Sequence, residues 1–259
     1  MKNFLYFFCI SLLLLQGCSS DSGSDNSNSI ILCKTIKYNE TTSTNVISHR
    51  DEFTYDGNKL IQTNAFRNDV LNRKSLFFYT GDLITQVKTY NSSNQLIYLE
   101  VYTYNNSNQL IQSISYDQGI LDVRETYSYN QNGTINKLTY YNYGQPQEIL
   151  SENTTFSINN GNLVSINKIE YSLNQNNKLI TFVYDDKNSP FRNLNPSVKF
   201  ILMDSEFFNS NNAINRTETN SDPIYSNRID NYQYLYNSDN YPTVVTSSSP
   251  NSNIAEFTY

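Results

Sequence analysis

The segment Phe53-Thr54-Tyr55-Asp56-Gly57-Asn58-Lys59-Leu60-Ile61 decides how the chain is read, because it recurs. Phe77-Phe78-Tyr79-Thr80-Gly81-Asp82-Leu83-Ile84 echoes it, as do Tyr102-Thr103-Tyr104-Asn105-Asn106-Ser107-Asn108-Gln109-Leu110-Ile111 and Tyr127-Ser128-Tyr129-Asn130-Gln131-Asn132-Gly133-Thr134-Ile135. A fainter copy is Phe156-Ser157-Ile158-Asn159-Asn160-Gly161-Asn162-Leu163-Val164. The second aromatic steps from 55 to 79 to 104 to 129, so the spacings are 24, 25 and 25. Each unit has the parts of a hairpin. An aromatic-x-aromatic pair ends one strand, Asn, Asp and Gly supply the positive φ that tight turns demand, and an apolar pair opens the next strand. Two strands of about eight residues and two turns account for the period.

Alternation within the units predicts faces. In one arm Leu110, Ile114 and Tyr116 point one way, against Ser113 and Ser115. In the next, Leu121, Val123, Tyr127 and Tyr129 oppose Asp122, Arg124, Thr126 and Ser128. A sheet with one apolar face must cover it, and open edges invite aggregation. The expected fold is therefore all-β: an antiparallel β-meander of repeated hairpins closing into a barrel-like or rolled sheet.

The repeat breaks after Tyr184, and residues 185–231 read as one long insertion. Within it Pro196 can open a short helix that places Val198, Ile201, Leu202 and Phe208 on one side. The strands resume at Tyr232-Gln233-Tyr234-Leu235-Tyr236 and finish at Glu256-Phe257-Thr258-Tyr259. An insertion in such a meander is expected to cover an opening or a sheet edge.

The first residues are of another kind. Met1-Lys2-Asn3 precedes an apolar run from Phe4 to Leu15, which fits a secretory signal core and falls short of the roughly 20 residues of a membrane-spanning helix. The run ends in Leu15-Gln16-Gly17-Cys18, which resembles the lipobox of bacterial lipoproteins. That resemblance implies removal of residues 1–17 and lipid attachment at Cys18, the one residue assigned a modification. Ser19 follows where Asp would mark inner-membrane retention, so the outer membrane is favoured, on its cell-surface or periplasmic face. Residues 18–30, rich in Ser, Asp and Asn, form a flexible tether that could reach roughly 40 Å when extended. Residues 31–259 make a single β domain.

Between the repeats and the lipobox, the layout is similar to an uncharacterised family of Bacteroidetes lipoproteins with a porin-like β-barrel fold. Tyr184-Asp185-Asp186-Lys187-Asn188-Ser189-Pro190-Phe191 and Tyr236-Asn237-Ser238-Asp239-Asn240-Tyr241-Pro242-Thr243 carry that similarity too. It implies a fold and no activity. The repeats also resemble the YD repeats of Rhs-type proteins, although Asp56 is replaced by Thr80, Asn105 and Asn130 in the later units.

Composition removes several classes of function. The chain has 22 Tyr, 14 Phe, no Trp, one His and a net charge of −6, with 16% charged residues. That aromatic content supports a core, and the absence of a basic patch argues against nucleic acid as a partner. Cys33 is the one cysteine of the domain, so no internal disulfide forms, and it reads as a small buried hydrophobe. His49 could serve a nucleophile, but no nucleophile-elbow motif accompanies it. Asp185 with Asp186, or Asp204 with Glu206, could do glycosidic acid–base work, yet such carboxylates are ordinary. The turns Asp185–Asn188 and Asn237–Asn240 carry oxygen ligands suited to Ca²⁺ and equally suit hairpin turns. No catalytic, cofactor or metal site is assigned and no cofactor is expected. The expected function is that of a lipid-anchored, non-enzymatic binding or scaffolding module with a glycan or protein ligand. One alternative is carbohydrate capture on exposed tyrosines. Another is an integral outer-membrane barrel, suggested by the terminal Phe257-Thr258-Tyr259 and the alternating strands.

Overall fold

The computed structural model describes residues 30–41, 45–141, 147–171, 175–202, 209–248 and 254–259. The signal peptide, Cys18 and the tether up to residue 29 lie outside the described residues. So do Asp204, Glu206 and Phe208.

Among the described residues sixteen strands form one closed antiparallel barrel in which sequence neighbours are spatial neighbours. They are β1 (Thr35–Thr41), β2 (Val46–Asp56), β3 (Lys59–Arg67), β4 (Val70–Thr80), β5 (Leu83–Asn91), β6 (Leu96–Tyr104), β7 (Leu110–Asp117) and β8 (Ile120–Tyr129). The circuit continues through β9 (Ile135–Tyr141), β10 (Ile149–Asn159), β11 (Asn162–Glu170), β12 (Asn176–Tyr184), β13 (Ala213–Asn220), β14 (Arg228–Tyr236), β15 (Pro242–Ser247) and β16 (Ile254–Thr258). It closes where β1 pairs with β16, from Thr35 opposite Thr258 to Tyr38 opposite Ala255. The expected all-β meander is thus a barrel with no free edge.

In most repeats a β-bulge falls within or just after the apolar pair, the Tyr129–Ile135 unit excepted. Tyr55 faces Leu60 while Thr54 faces Gln62, leaving Ile61 as the extra residue. Thr85, Ile111, Val164, Ile214 and Thr243 occupy the same position in later hairpins. A bulge shifts the alternation by one, so residues on either side of it exchange faces. This corrects the expected faces of β7. Leu110 is buried inside the barrel, whereas Ile114 and Tyr116 point outward and Ser113 and Ser115 line the interior. Strict period-two reading cannot see the shift. In β8, Val123, Tyr127 and Tyr129 do lie opposite Arg124, Thr126 and Ser128, with Glu125 on their inward face, but a second bulge at Asp122 puts Leu121 outward beside Tyr116, against expectation.

The repeated tyrosines are joints. Tyr79 donates its hydroxyl to the Leu60 carbonyl at 2.8 Å, Tyr129 to that of Leu110 at 3.1 Å and Tyr184 to that of Leu163 at 2.6 Å. Tyr55 reaches the Cys33 carbonyl, Tyr234 that of Ala213 and Tyr259 that of Pro242. Each reaches back about one repeat. Tyr104 stands in the same register, but its buried hydroxyl has no partner among the described residues. Replacing Tyr79 by Phe should therefore cost about 1 kcal/mol, and Tyr104→Phe should cost nothing or stabilise slightly. Urea midpoints of the two variants check this; equal losses would refute the distinction.

The hairpin turns after β2, β4, β6, β8, β10 and β14 gather at one end of the barrel, and that end is plugged. The segment 188–202 folds into the lumen. It contains α1 (Pro196–Ile201), capped by Asn195, whose side chain accepts from Ser197 N at 2.9 Å. Phe191, Leu194 and Val198 are buried against Cys33, Leu60, Ile84, Leu110, Val245 and Phe257. Phe200 meets a second apolar cluster of Ile135, Phe156, Leu163, Ile166, Ile180 and Phe182. Polar bonds fasten the plug: Asn195 N donates to Asn58 O (3.0 Å), and Ser197 Oγ accepts from Ile84 N and donates to Asp82 O. The returning segment docks on the Asn160-Gly161 turn, where Gly161 has φ +76° and any Cβ would collide with Ser210 Oγ. The insertion ends earlier than the expected residue 231. Strands resume at Ala213, and β13 was hidden because Asn215, Arg216, Thr217, Glu218 and Thr219 carry too little apolar character to read as a strand.

Candidate lumenal site

Above the plug the lumen is polar, and its layers follow from strand register, since directly paired residues share a face. The innermost layer on the β8–β12 side is apolar: Tyr129, Ile135, Phe156, Ile166 and Ile180. The next toward the open end is Tyr127, Lys137, Thr154, Lys168 and Lys178. The one beyond is Glu125, Thr139, Glu152 and Glu170. A row of ammonium groups thus faces a row of carboxylates. Lys137 lies 3.0 Å from Glu125, Lys168 3.2 Å from Glu152, and Lys178 bridges Glu170 and Glu218 at 3.6 and 3.4 Å. The ladder continues through Arg216, 2.5 Å from Glu218 and 3.4 Å from Asp230, which Arg228 also holds at 2.8 Å. Burial pushes the Glu125 carboxyl up, but Lys137 and hydrogen bonds from Tyr127 and Ser113 bring it below the ordinary carboxylate range.

The opposite wall, β2–β7 and the first residues of β8, has no such compensation among the described residues. Asp51, Arg73, Glu100 and Asp122 line it, and among the described residues none of them is in an ion pair with a Lys, Arg, Asp or Glu. Burial holds the carboxyls of both Asp51 and Glu100 above the ordinary range. His49 partly opposes this at Asp51, while at Glu100 a hydrogen bond with Tyr102 opposes it and the nearby Glu125 adds to it. A cavity of about 390 Å³ lies against Thr63, Arg73, Ser75, Thr89, Tyr98, Glu100, Ser115 and Asp122. A second, of about 330 Å³, lies against Asp51, Phe53, Leu60, Phe77, Val87, Tyr102, Ile201 and Leu202. Both include Thr63, Ser75, Thr89 and Glu100, so they are continuous. The inner part has an apolar floor made partly by the plug, and the outer part is lined by hydroxyls and charges.

The residues singled out from the sequence fall elsewhere. Cys33 is wholly buried at the plugged end, where burial pushes its thiol up to about 12 against a hydrogen bond to Thr35 O. His49 stacks on Tyr38 at 4.7 Å and lies 3.2 Å from Glu40. Asp185 is a structural clamp that accepts from Lys187 N, Asn212 N and the Tyr236 hydroxyl, while Asp186 is exposed beside Lys187. Asn237 closes its turn by accepting from Asp239 N and Tyr241 N, both at 3.0 Å. Among the described residues no group of three or more His, Cys, Asp or Glu side chains could hold a metal ion. Of the tyrosines, Tyr98 and Tyr102 line the cavities. Sequence reasoning passed over the lumenal carboxylates. Their signal was present: Asp51, Glu100 and Glu125 each stand two residues before an inward aromatic, at Phe53, Tyr102 and Tyr127, and so share its face.

No family model matches the chain, and no curated protein sequence matches it. Among solved structures it is similar to the crystal structure of a porin-like protein from Bacteroides uniformis ATCC 8492, with a TM-score of 0.56 and 13% identity. The match covers 89% of this chain and 96% of that one. The likeness is one of fold, and it agrees with the first of the two closures expected from the repeats, a barrel-like rather than a rolled sheet.

Proposed function

We propose that the chain is a lipid-anchored outer-membrane protein whose barrel is a cup for a small ligand rather than a pore. The observation that carries this reading is the plugged lumen: Phe191, Leu194 and Val198 fill one end, and a polar cavity opens toward the other. The polypeptide enters the barrel at the plugged end, where Asn193 Nδ2 donates to Ile31 O at 2.9 Å. A lipid on Cys18 would then hold the closed end toward the membrane and turn the mouth away. The role fits binding without catalysis.

The outer surface favours anchoring over insertion. Its rows, read from register, mix Thr54, Gln62, Leu76, Lys88, Leu99 and Tyr116 in one, and Thr103, Gln112, Thr126, Leu138, Asn153, Ile169 and Asn177 in another. Arg124 lies over the Tyr140 ring and holds Glu148 at 2.5 Å on the same outer face. A barrel crossing a bilayer needs an outward apolar band about 25 Å tall, and charges at its middle cost about 2–4 kcal/mol. Fourteen of the sixteen strands described have 7–11 residues, with β15 at 6 and β16 at 5, and such lengths do not separate the two cases, since about 9–11 suffice to cross. The test is Cys18→Ala. Wild-type protein should partition into detergent and pellet with membranes, and the variant should be recovered folded and soluble. A variant that stays with membranes through alkaline extraction would overturn the reading.

A further inference from the structure

We propose that the unpaired wall of the lumen binds a small amphiphilic amine, its ammonium group seated on Glu100 and its carbon skeleton on the apolar floor. The inference rests on the cup reading and names the ligand class for it.

The charge balance of the lumen points to a cation. Glu125, Glu152, Glu170, Glu218 and Asp230 all have a Lys or Arg within 3.6 Å. Among the described residues Glu100 is in no such pair, and it sits beside Glu125, a like charge. The chain cannot supply the missing cation from elsewhere. Between residues 30 and 259, the segments outside the described residues are 42–44, 142–146, 172–174, 203–208 and 249–253, and they contain no Lys or Arg. Around the cavities Asp51, Glu100 and Asp122 stand against the single Arg73, an excess of negative charge in a concave, partly desolvated space.

The donor set fits an ammonium group in particular. Such a group has three donors, and Glu100 with the hydroxyls of Ser75 and Thr89 offers acceptors on neighbouring strands lining the same space. Below them Phe53, Phe77, Ile201 and Leu202 present apolar surface, so the rest of the ligand is hydrocarbon or aromatic at its inner end. The cavity volumes are at the small end of the range for ligand pockets. An unpaired, mostly buried carboxylate is a burden to the fold alone, and a bound amine offsets it.

Three probes of one shape but different charge test this: 2-phenylethylamine, 2-phenylethanol and 3-phenylpropanoate, titrated calorimetrically into the full domain carrying Cys18→Ala. The amine should bind at least tenfold more tightly than the alcohol, and the carboxylate more weakly than either. Glu100→Gln should erase the preference for the amine and leave alcohol binding unchanged, in a protein whose melting temperature shows it folded. If amine and alcohol bind equally, or Glu100→Gln keeps the preference, the amine assignment fails while the cup reading stands. If none of the three binds, both fail.

Discussion

Phe191→Ala is expected to destabilise the protein by about 3–5 kcal/mol, the cost of emptying an aromatic site in a core that cannot collapse around it. Phe191 is 1% exposed and meets Phe53 edge-on, with ring centroids 5.1 Å apart. It stands where the plug enters the barrel, so its loss affects Leu194 and Val198 as well, which depend on the same seat. The midpoint of urea unfolding measures the effect. Limited proteolysis should show new cleavage within residues 188–202 before the strands are cut. A loss below about 1 kcal/mol would mean that the plug contributes little to the barrel, and the closed-bottom description would fail with it.

Asp230→Asn is expected to cost a similar amount, about 3–5 kcal/mol, for the opposite chemical reason. Asp230 is 1% exposed and is shared by Arg216 and Arg228. Neutralising it takes a carboxylate away from two neighbouring guanidinium groups, while the Arg216–Glu218 pair stays. Part of the loss should return in the double variant Asp230→Asn with Arg216→Met, because the excess of positive charge beside residue 230 is then reduced. Asp186→Asn is the control. That carboxylate is 87% exposed beside Lys187, and such surface pairs contribute little. Thermal unfolding of the four proteins checks the order; equal effects of Asp230→Asn and Asp186→Asn would contradict the ladder.

Much of the architecture was legible because hairpin turns have a strict chemistry. The spacing of Tyr55, Tyr79, Tyr104 and Tyr129 fixed the meander, and Pro196 marked the short helix. Closure was left open between a barrel and a rolled sheet, since the pairing of Thr35 with Thr258 is a contact across the whole chain with no local signature. Two things were misread for one cause: strict alternation was taken as a guide to burial. Bulges at Ile61 and Ile111 move the phase, and a wide lumen lets inward positions be polar. β13 therefore passed for part of the insertion, and Ile114 and Tyr116 were placed on the face of Leu110. The lumenal site was out of reach for a further reason. Whether a charge is compensated depends on its neighbours across strands, as Lys137 compensates Glu125 while, among the described residues, no Lys or Arg pairs with Glu100.

The tyrosine joints bear on how such a barrel arises. Apart from that of Tyr104, these hydroxyls bond a carbonyl laid down about one repeat before, so most repeats bring the fastening to their predecessor. A duplicated hairpin would arrive with its own fastening, and a deleted one would leave a gap that the next tyrosine can bridge in the same way. The circumference of the barrel grows with the number of strands, so lumen width becomes an inheritable quantity changed in whole hairpins. Only the plug is tailored to one diameter. A lineage that changed its repeat number would have to remake residues 188–202, and chains with more or fewer hairpins should differ most in that segment.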